Sequence, residues 1–193
     1  MVRIVVIDDH PALRAGLRTV LDAEPGIEFA GESNGEEETV WPLLNRTRPD
    51  LVMLDYHLPR GDGLQLCYRI KQSVPAPRVL LYTAYASPAL ALAAALARAD
   101  GMVAKGVGAR DLFDAIRSAH AGEHALPEVS VAALKDAHAK LEPDERAIIG
   151  MLLDGSTEVE IARTLRREAR DVRHSVYRIL SRLRIDVPAA QAM

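Results

Sequence analysis

The first 121 residues alternate between two hydrophobic periods. Short, β-branched apolar runs at 3–8, 27–32, 51–54, 79–82 and 102–104 predict buried strands. Between them, apolar residues fall at helical spacing. Leu13, Leu17, Val20 and Leu21 predict a helix over 11–23, and similar patterns predict helices over 36–46, 64–73, 88–98 and 110–120. Gly61-Asp62-Gly63 reads as a turn before the third helix. Strands apolar on both faces and separated by helices belong to a parallel sheet covered on both sides. The predicted fold is α/β, a doubly wound five-stranded parallel sheet. After His120 the alternation stops. Residues 122–140 read as a linker holding a weak helix over 129–140. Beyond Leu141 only helical segments follow, at 143–153, 158–165 and 169–183, which predicts a small all-α domain. The predicted division is therefore 1–121, 122–140 and 141–193.

Composition narrows the class without changing this picture. An apolar share of 49% and a charged share of 26% over 193 residues are those of a globular protein. The single cysteine, Cys67, excludes an internal disulfide framework and a multi-cysteine metal site. The longest apolar stretch, 87–97, contains Pro88 and falls short of the roughly 20 residues that span a bilayer. Asp8-Asp9 comes too early for the apolar core of a signal peptide. The expectation is a cytoplasmic protein with no membrane association. Charge is uneven: 1–124 hold 13 Lys+Arg against 16 Asp+Glu, whereas 125–193 hold 11 of each. Within the second part, 163–184 packs eight Arg against Glu168 and Asp171. Such a window is either a solvated helical face or a phosphate-contacting surface.

Open α/β sheets bind ligands beyond the C-terminal ends of their strands. Those ends carry Asp8 and Asp9, then Asp55, Thr83 and Lys105. Taken singly, each is an ordinary cap or surface residue. Together they converge on one edge. Three crowded carboxylates repel unless a cation joins them, and Mg²⁺ suits an all-oxygen set. Aspartate is also a known covalent acceptor of phosphoryl groups. A hydroxyl and an ammonium beside it suit the phosphoryl oxygens. A phosphohydrolase built on the same acids is the rival chemistry. No cap domain or substrate pocket supports it, and Thr83 with Lys105 suits holding phosphate, so an enzyme is not expected.

This constellation resembles the receiver domain of bacterial two-component response regulators over residues 1–121. The matching residues are Asp8-Asp9, Asp55 in Leu54-Asp55-Tyr56-His57-Leu58-Pro59, Thr83-Ala84, and Lys105 in Gly101-Met102-Val103-Ala104-Lys105-Gly106. The resemblance implies that Asp55 accepts phosphate from a sensor histidine kinase. It implies Mg²⁺ held by Asp9, Asp55 and the His57 carbonyl, with Asp8 acting largely through water. It also implies that Thr83 moves to the phosphoryl group and Lys105 pairs with it. Met102 stands where the family often carries a switch aromatic, and Tyr85 is a partial substitute. His57 and Tyr85 lie where side chains would gate hydrolysis of the aspartyl phosphate.

The segments 158–165 and 169–183 fit a helix–turn–helix, whose second helix enters the major groove. Arg170, Arg173, His174, Arg178 and Arg182 are its candidate DNA contacts. Residues 141–187 resemble the LuxR-type helix–turn–helix of NarL/FixJ-class regulators through Leu141, Pro143, Glu145-Arg146, Gly155, Thr157, Glu160-Ile161-Ala162, Leu165, Val172-Arg173 and Arg182-Leu183. The departures fall where DNA belongs. Glu158-Val159 replaces the family's Asn-Lys, Arg167 an apolar turn residue, Glu168 a capping Ser, Asp171 a Thr, Ser175 a His and Arg178 an Asn. The expected function is a response regulator that controls transcription by binding promoter DNA, pairing as a homodimer on phosphorylation. The alternative is a phosphorylation-dependent regulator whose degenerate helix–turn–helix contacts protein instead.

Overall fold

The structure is a computed structural model that describes residues 1–59, 61–84, 86–123 and 125–184. Its order is β1 (Val2–Ile7), α1 (Pro11–Asp22), β2 (Ile27–Ser33), α2 (Glu37–Thr47), β3 (Leu51–Leu54), β4 (His57–Leu58), β5 (Gly61–Asp62), α3 (Gly63–Lys71), β6 (Arg78–Thr83), α4 (Pro88–Leu96), β7 (Gly101–Ala104), α5 (Ala109–Ala121), α6 (Val131–Lys140), α7 (Pro143–Leu153), α8 (Glu158–Leu165) and α9 (Ala169–Arg182). Five strands form one parallel sheet in the order β2-β1-β3-β6-β7, as the alternation predicts. The predicted turn at 61–63 is more than a turn. Gly61–Asp62 pairs antiparallel with His57–Leu58 as a small hairpin.

Side chains alternate across the strands and split the core. Ile4, Val6, Met53, Leu80 and Val103 pack with α1 and α5 on one face. Val5, Ile7, Val52, Leu54, Val79, Leu81 and Met102 pack with α2, α3 and α4 on the other. That second cluster does not stop at the helices. It continues into Ile148, Leu152, Ile161, Val176, Ile179 and Leu180 of the C-terminal helices. This explains why α4 is apolar all round: Leu90, Ala91, Leu92, Ala93, Ala94 and Leu96 are all buried. A helix of that kind lies between two layers, here the sheet on one side and α6 and α7 on the other. The linker is equally anchored. Ala125 pairs with Gly101, and the Met102 amide donates to the Ala125 carbonyl at 3.0 Å. A side chain at Gly101 would press on Ala125 Cβ at 2.9 Å. No helix among the described residues is long and apolar enough to cross a membrane.

Candidate functional site

Strand register assembles the acidic edge. Ile7 pairs with Leu54, Leu54 with Leu81, and Thr83 with Ala104, so the residues just beyond lie side by side. The Asp55 amide donates to the Ile7 carbonyl at 2.8 Å, and the Lys105 amide to the Thr83 carbonyl at 2.8 Å. Asp8, Asp55 and Thr83 are buried. The Lys105 ammonium bridges the two acids, 2.7 Å from Asp8 Oδ2 and 2.8 Å from Asp55 Oδ2. Burial pushes the Asp55 carboxyl above its ordinary range; Lys105 opposes this and the Asp8 charge adds to it. Burial also disfavours the Lys105 ammonium, but the bonds to Asp55 and Asp8 outweigh it and hold the lysine above its usual range.

Two residues that sequence reasoning missed steady the acid pair. The His10 amide donates to Asp8 Oδ1 at 2.8 Å, while its ring Nδ1 lies 2.7 Å from Asp9 Oδ1 and 3.1 Å from Asp8 Oδ1. Arg14 donates to the Asp8 carbonyl at 2.7 Å and pairs with Glu32. The available signal was position: a histidine directly after the acid pair, and an arginine in the first turn of α1. Donor atoms of Asp8, Asp9, His10 and Asp55 all lie within 4.8 Å of one another. Asp9 Oδ1 is buried and accepts no well-formed hydrogen bond among the described residues, its close neighbour being the His10 ring. Three carboxylates with an open oxygen fit a hard divalent cation.

The hairpin completes the edge. The His57 amide hydrogen-bonds the Asp55 carboxylate, and its ring stands 5.4 Å from that of Tyr56. Asp62 caps α3 by accepting from the Leu64 amide at 2.8 Å. A side chain on Gly63 would collide with the carbonyl oxygens of Asp55 and Tyr56, so only glycine lets the hairpin cross this close. Met102 is buried on the α4 side of the sheet, in the core shared with the C-terminal helices. Tyr85 lies outside the described residues.

Among the C-terminal helices, Thr157 and Glu160 form a capping box that starts α8. Arg166 takes the left-handed conformation, φ +54°, that ends α8. Val172, Val176, Ile179 and Leu180 bury one face of α9, which leaves Arg170, Arg173, His174, Arg178 and Arg182 exposed. The predicted basic surface therefore exists, but it is largely self-neutralised. Arg173 pairs with Glu158, Arg178 with Glu145, Arg182 with Glu142 and Glu145, and Arg170 with Asp171. Ser175 is buried, so it is no surface contact; it accepts from Arg167 at 3.2 Å and Arg178 at 3.1 Å. Arg167 thus replaces an apolar turn contact with a hydrogen bond to α9. One side of α9 lies against α3: Gln65 donates to Ser181 Oγ at 2.8 Å, and the rings of Tyr68 and Tyr177 meet edge to face at 5.9 Å. Neither Gln65 nor Tyr68 stands out in the sequence, because each is an ordinary residue of an amphipathic helix.

A cavity of about 760 Å³ lies elsewhere. Trp41, Asp50, Pro75 and Arg78 line it at the N-terminal strand ends, opposite the acidic edge. Residues 4–117 match the family model of the response regulator receiver domain. The DNA-binding transcriptional activator DevR/DosR of Mycobacterium tuberculosis is 32% identical over 95% of this chain and 88% of its own. The crystal structure of ChrA, a response regulator in a heme-sensing two-component system, is 30% identical with a TM-score of 0.54, covering 98% of this chain and 93% of that one. A LuxR-family two-component response regulator from Aurantimonas sp. SI85-9A1 is 32% identical with a TM-score of 0.60, covering 74% of this chain and 99% of that one. With the strand-end acids, the lysine between them and the trailing helices all in place, the chain belongs to the response regulator family, in its NarL/FixJ class.

Proposed function

We propose that this response regulator is phosphorylated on Asp55 by a sensor histidine kinase in the cytoplasm and answers by binding promoter DNA as a homodimer. In this reading 1–121 is the phosphoacceptor domain, 122–140 the linker and 141–193 the DNA-binding domain. The observation that carries it is the Lys105 bridge between two buried acids at 2.7 and 2.8 Å. That ammonium is already held where phosphoryl oxygens would arrive. Asp8, Asp9 and Asp55, with the His57 carbonyl, are the residues that would hold Mg²⁺, which supplies charge neutralisation for an incoming phosphoryl group. An Asp55 carboxylate oxygen attacks phosphorus, and the donor's leaving group departs with its electron pair. Lys105 and the Thr83 hydroxyl then hold the phosphoryl oxygens. Drawing Thr83 inward moves the end of β6 against β7 and α4. The Met102 core is continuous with the C-terminal helices, so the movement is felt there. His57, whose amide reaches the Asp55 carboxylate, sets the lifetime of the phosphoryl group.

Two measurements test this. Incubation with Mg²⁺ and a small phosphodonor should add one phosphoryl group by mass spectrometry, and Asp55→Asn should abolish it. Persistent labelling of the variant would place the acceptor elsewhere. Fluorescence anisotropy on a labelled duplex should show binding strengthened by beryllofluoride and weakened by salt, with a log–log slope near −0.9 per phosphate contacted. No binding in either state at low salt would favour the alternative of a protein partner. The pairing of Arg173, Arg178 and Arg182 with internal acids is the observation on that side.

A further inference from the structure

Glu158 is an acid in the first turn of a short helix, where a carboxylate would ordinarily stay in water. Here it is buried. Burying a charge is costly unless donors surround it. Three do. The Tyr68 hydroxyl of α3 donates to Oε1 at 2.5 Å, and Arg173 of α9 donates to Oε2 through Nε at 3.0 Å and Nη2 at 2.8 Å. The guanidinium fork thus grips an oxyanion as it would grip a phosphate. The same side of α9 is pressed on α3 by Tyr177 against Tyr68 and by Ser181 under Gln65. Nearby, Arg98 at the end of α4 donates to the Ser156 carbonyl at 2.7 Å, just ahead of α8.

We infer that Glu158 is an internal phosphate surrogate: it occupies the Arg173 guanidinium and, through the Tyr68 hydroxyl, makes release of that arginine conditional on α9 leaving α3. The inference rests on the reading that α9 binds DNA. An acid that opposes DNA when viewed in the sequence becomes, in the fold, the part that ties DNA binding to the state of the α/β layer. Activation must then break the Tyr68–Glu158 bond before Arg173 reaches a phosphate. Coupling between two sites of this kind is typically 5–150-fold.

The test uses the full chain as wild type, Tyr68→Phe, Glu158→Gln and the double variant, each with and without Mg²⁺ and beryllofluoride. Duplex binding is read by anisotropy, and the radius of gyration by small-angle scattering. Tyr68→Phe keeps the ring against Tyr177 and lies outside any DNA contact. It should raise unactivated DNA affinity about tenfold, enlarge the radius of gyration and shrink the gain on activation. Glu158→Gln should do the same, and the double variant should add little. A gain from Glu158→Gln but none from Tyr68→Phe would show simple removal of DNA repulsion and overturn the inference. So would no gain from either while activated wild type binds. If no form binds DNA, the DNA reading has failed. Scattering then decides the clasp alone: expansion in Tyr68→Phe keeps it, and an unchanged radius ends it.

Discussion

Asp55 is held in place against its own charge. It is buried, sits beside Asp8, and is compensated by a lysine shared between both acids. An acid whose folded pKa lies above its unfolded value contributes stability below the unfolded pKa and loses it as pH rises through the folded one. The Asp55 carboxyl is raised, so its ionised form weighs against the fold at neutral pH. Asp55→Asn should therefore raise the metal-free Tm by about 3 °C, the shift that about 1 kcal/mol gives a chain of this size. The advantage should vanish below about pH 4, where the aspartate of the unfolded chain is protonated as well. Thermal unfolding at pH 7 and pH 4 in EDTA checks both; a lower Tm for Asp55→Asn at pH 7 would show that the Lys105 bond outweighs burial. Lys105→Met strands two buried carboxylates and should cost about 3 kcal/mol by urea unfolding. Mg²⁺ should return more of that loss than it adds to wild type, because the cation then takes over the lysine's neutralising role.

At the scale of elements, two short features set the site, and they differ in how far the sequence reveals them. The five strands and their acids were legible because apolar runs ending in Asp, Thr or Lys carry a strong local signal. The hairpin at 57–62 was not, since two-residue strands have no period to read. Gly63→Ala tests its closeness. The new methyl meets the carbonyls of Asp55 and Tyr56 and should cost about 1–3 kcal/mol, with Asp55 phosphorylation slowed by the displaced loop. Normal stability and normal labelling would mean that the loop gives way freely. In α9 the exposed arginines followed from periodicity, but their partners did not. Glu142, the cap of α7, and Glu145, in its first turn, lie 40 and 37 positions from Arg182, and no local pattern announces such pairs. Glu145 serves twice, accepting from the Glu142 amide at 3.1 Å to start α7 and pairing with Arg178 and Arg182. Glu145→Ala should lose about 2 kcal/mol, roughly half from the cap and the rest from the released arginines.

Across the whole molecule, the core that begins at β1 runs through α4 into the C-terminal helices without a break. By its sequence, the apolar stripe of 86–110 suits either a dimer formed on phosphorylation or docking by the second domain. Packing of α6 and α7 on α4 assigns it to docking in this state. In the proposed function, the same face is the surface that activation should uncover for a second copy of the chain. Leu92 and Ala89 line a small cavity there together with Ala133, Ala137 and Leu183. Truncation to 1–121 exposes that face permanently, and contiguous apolar surface of this kind drives association. Sedimentation of the fragment should show a concentration-dependent dimer, while the full chain stays monomeric until beryllofluoride is added. Leu92→Asp should return the fragment to monomer and abolish the activated dimer of the full chain. A fragment that stays monomeric at every concentration, beside a full chain that still dimerises on activation, would move the pairing surface away from α4. The sheet edge would then signal through another face of the α/β layer, and α4 would serve only to hold the C-terminal helices in place.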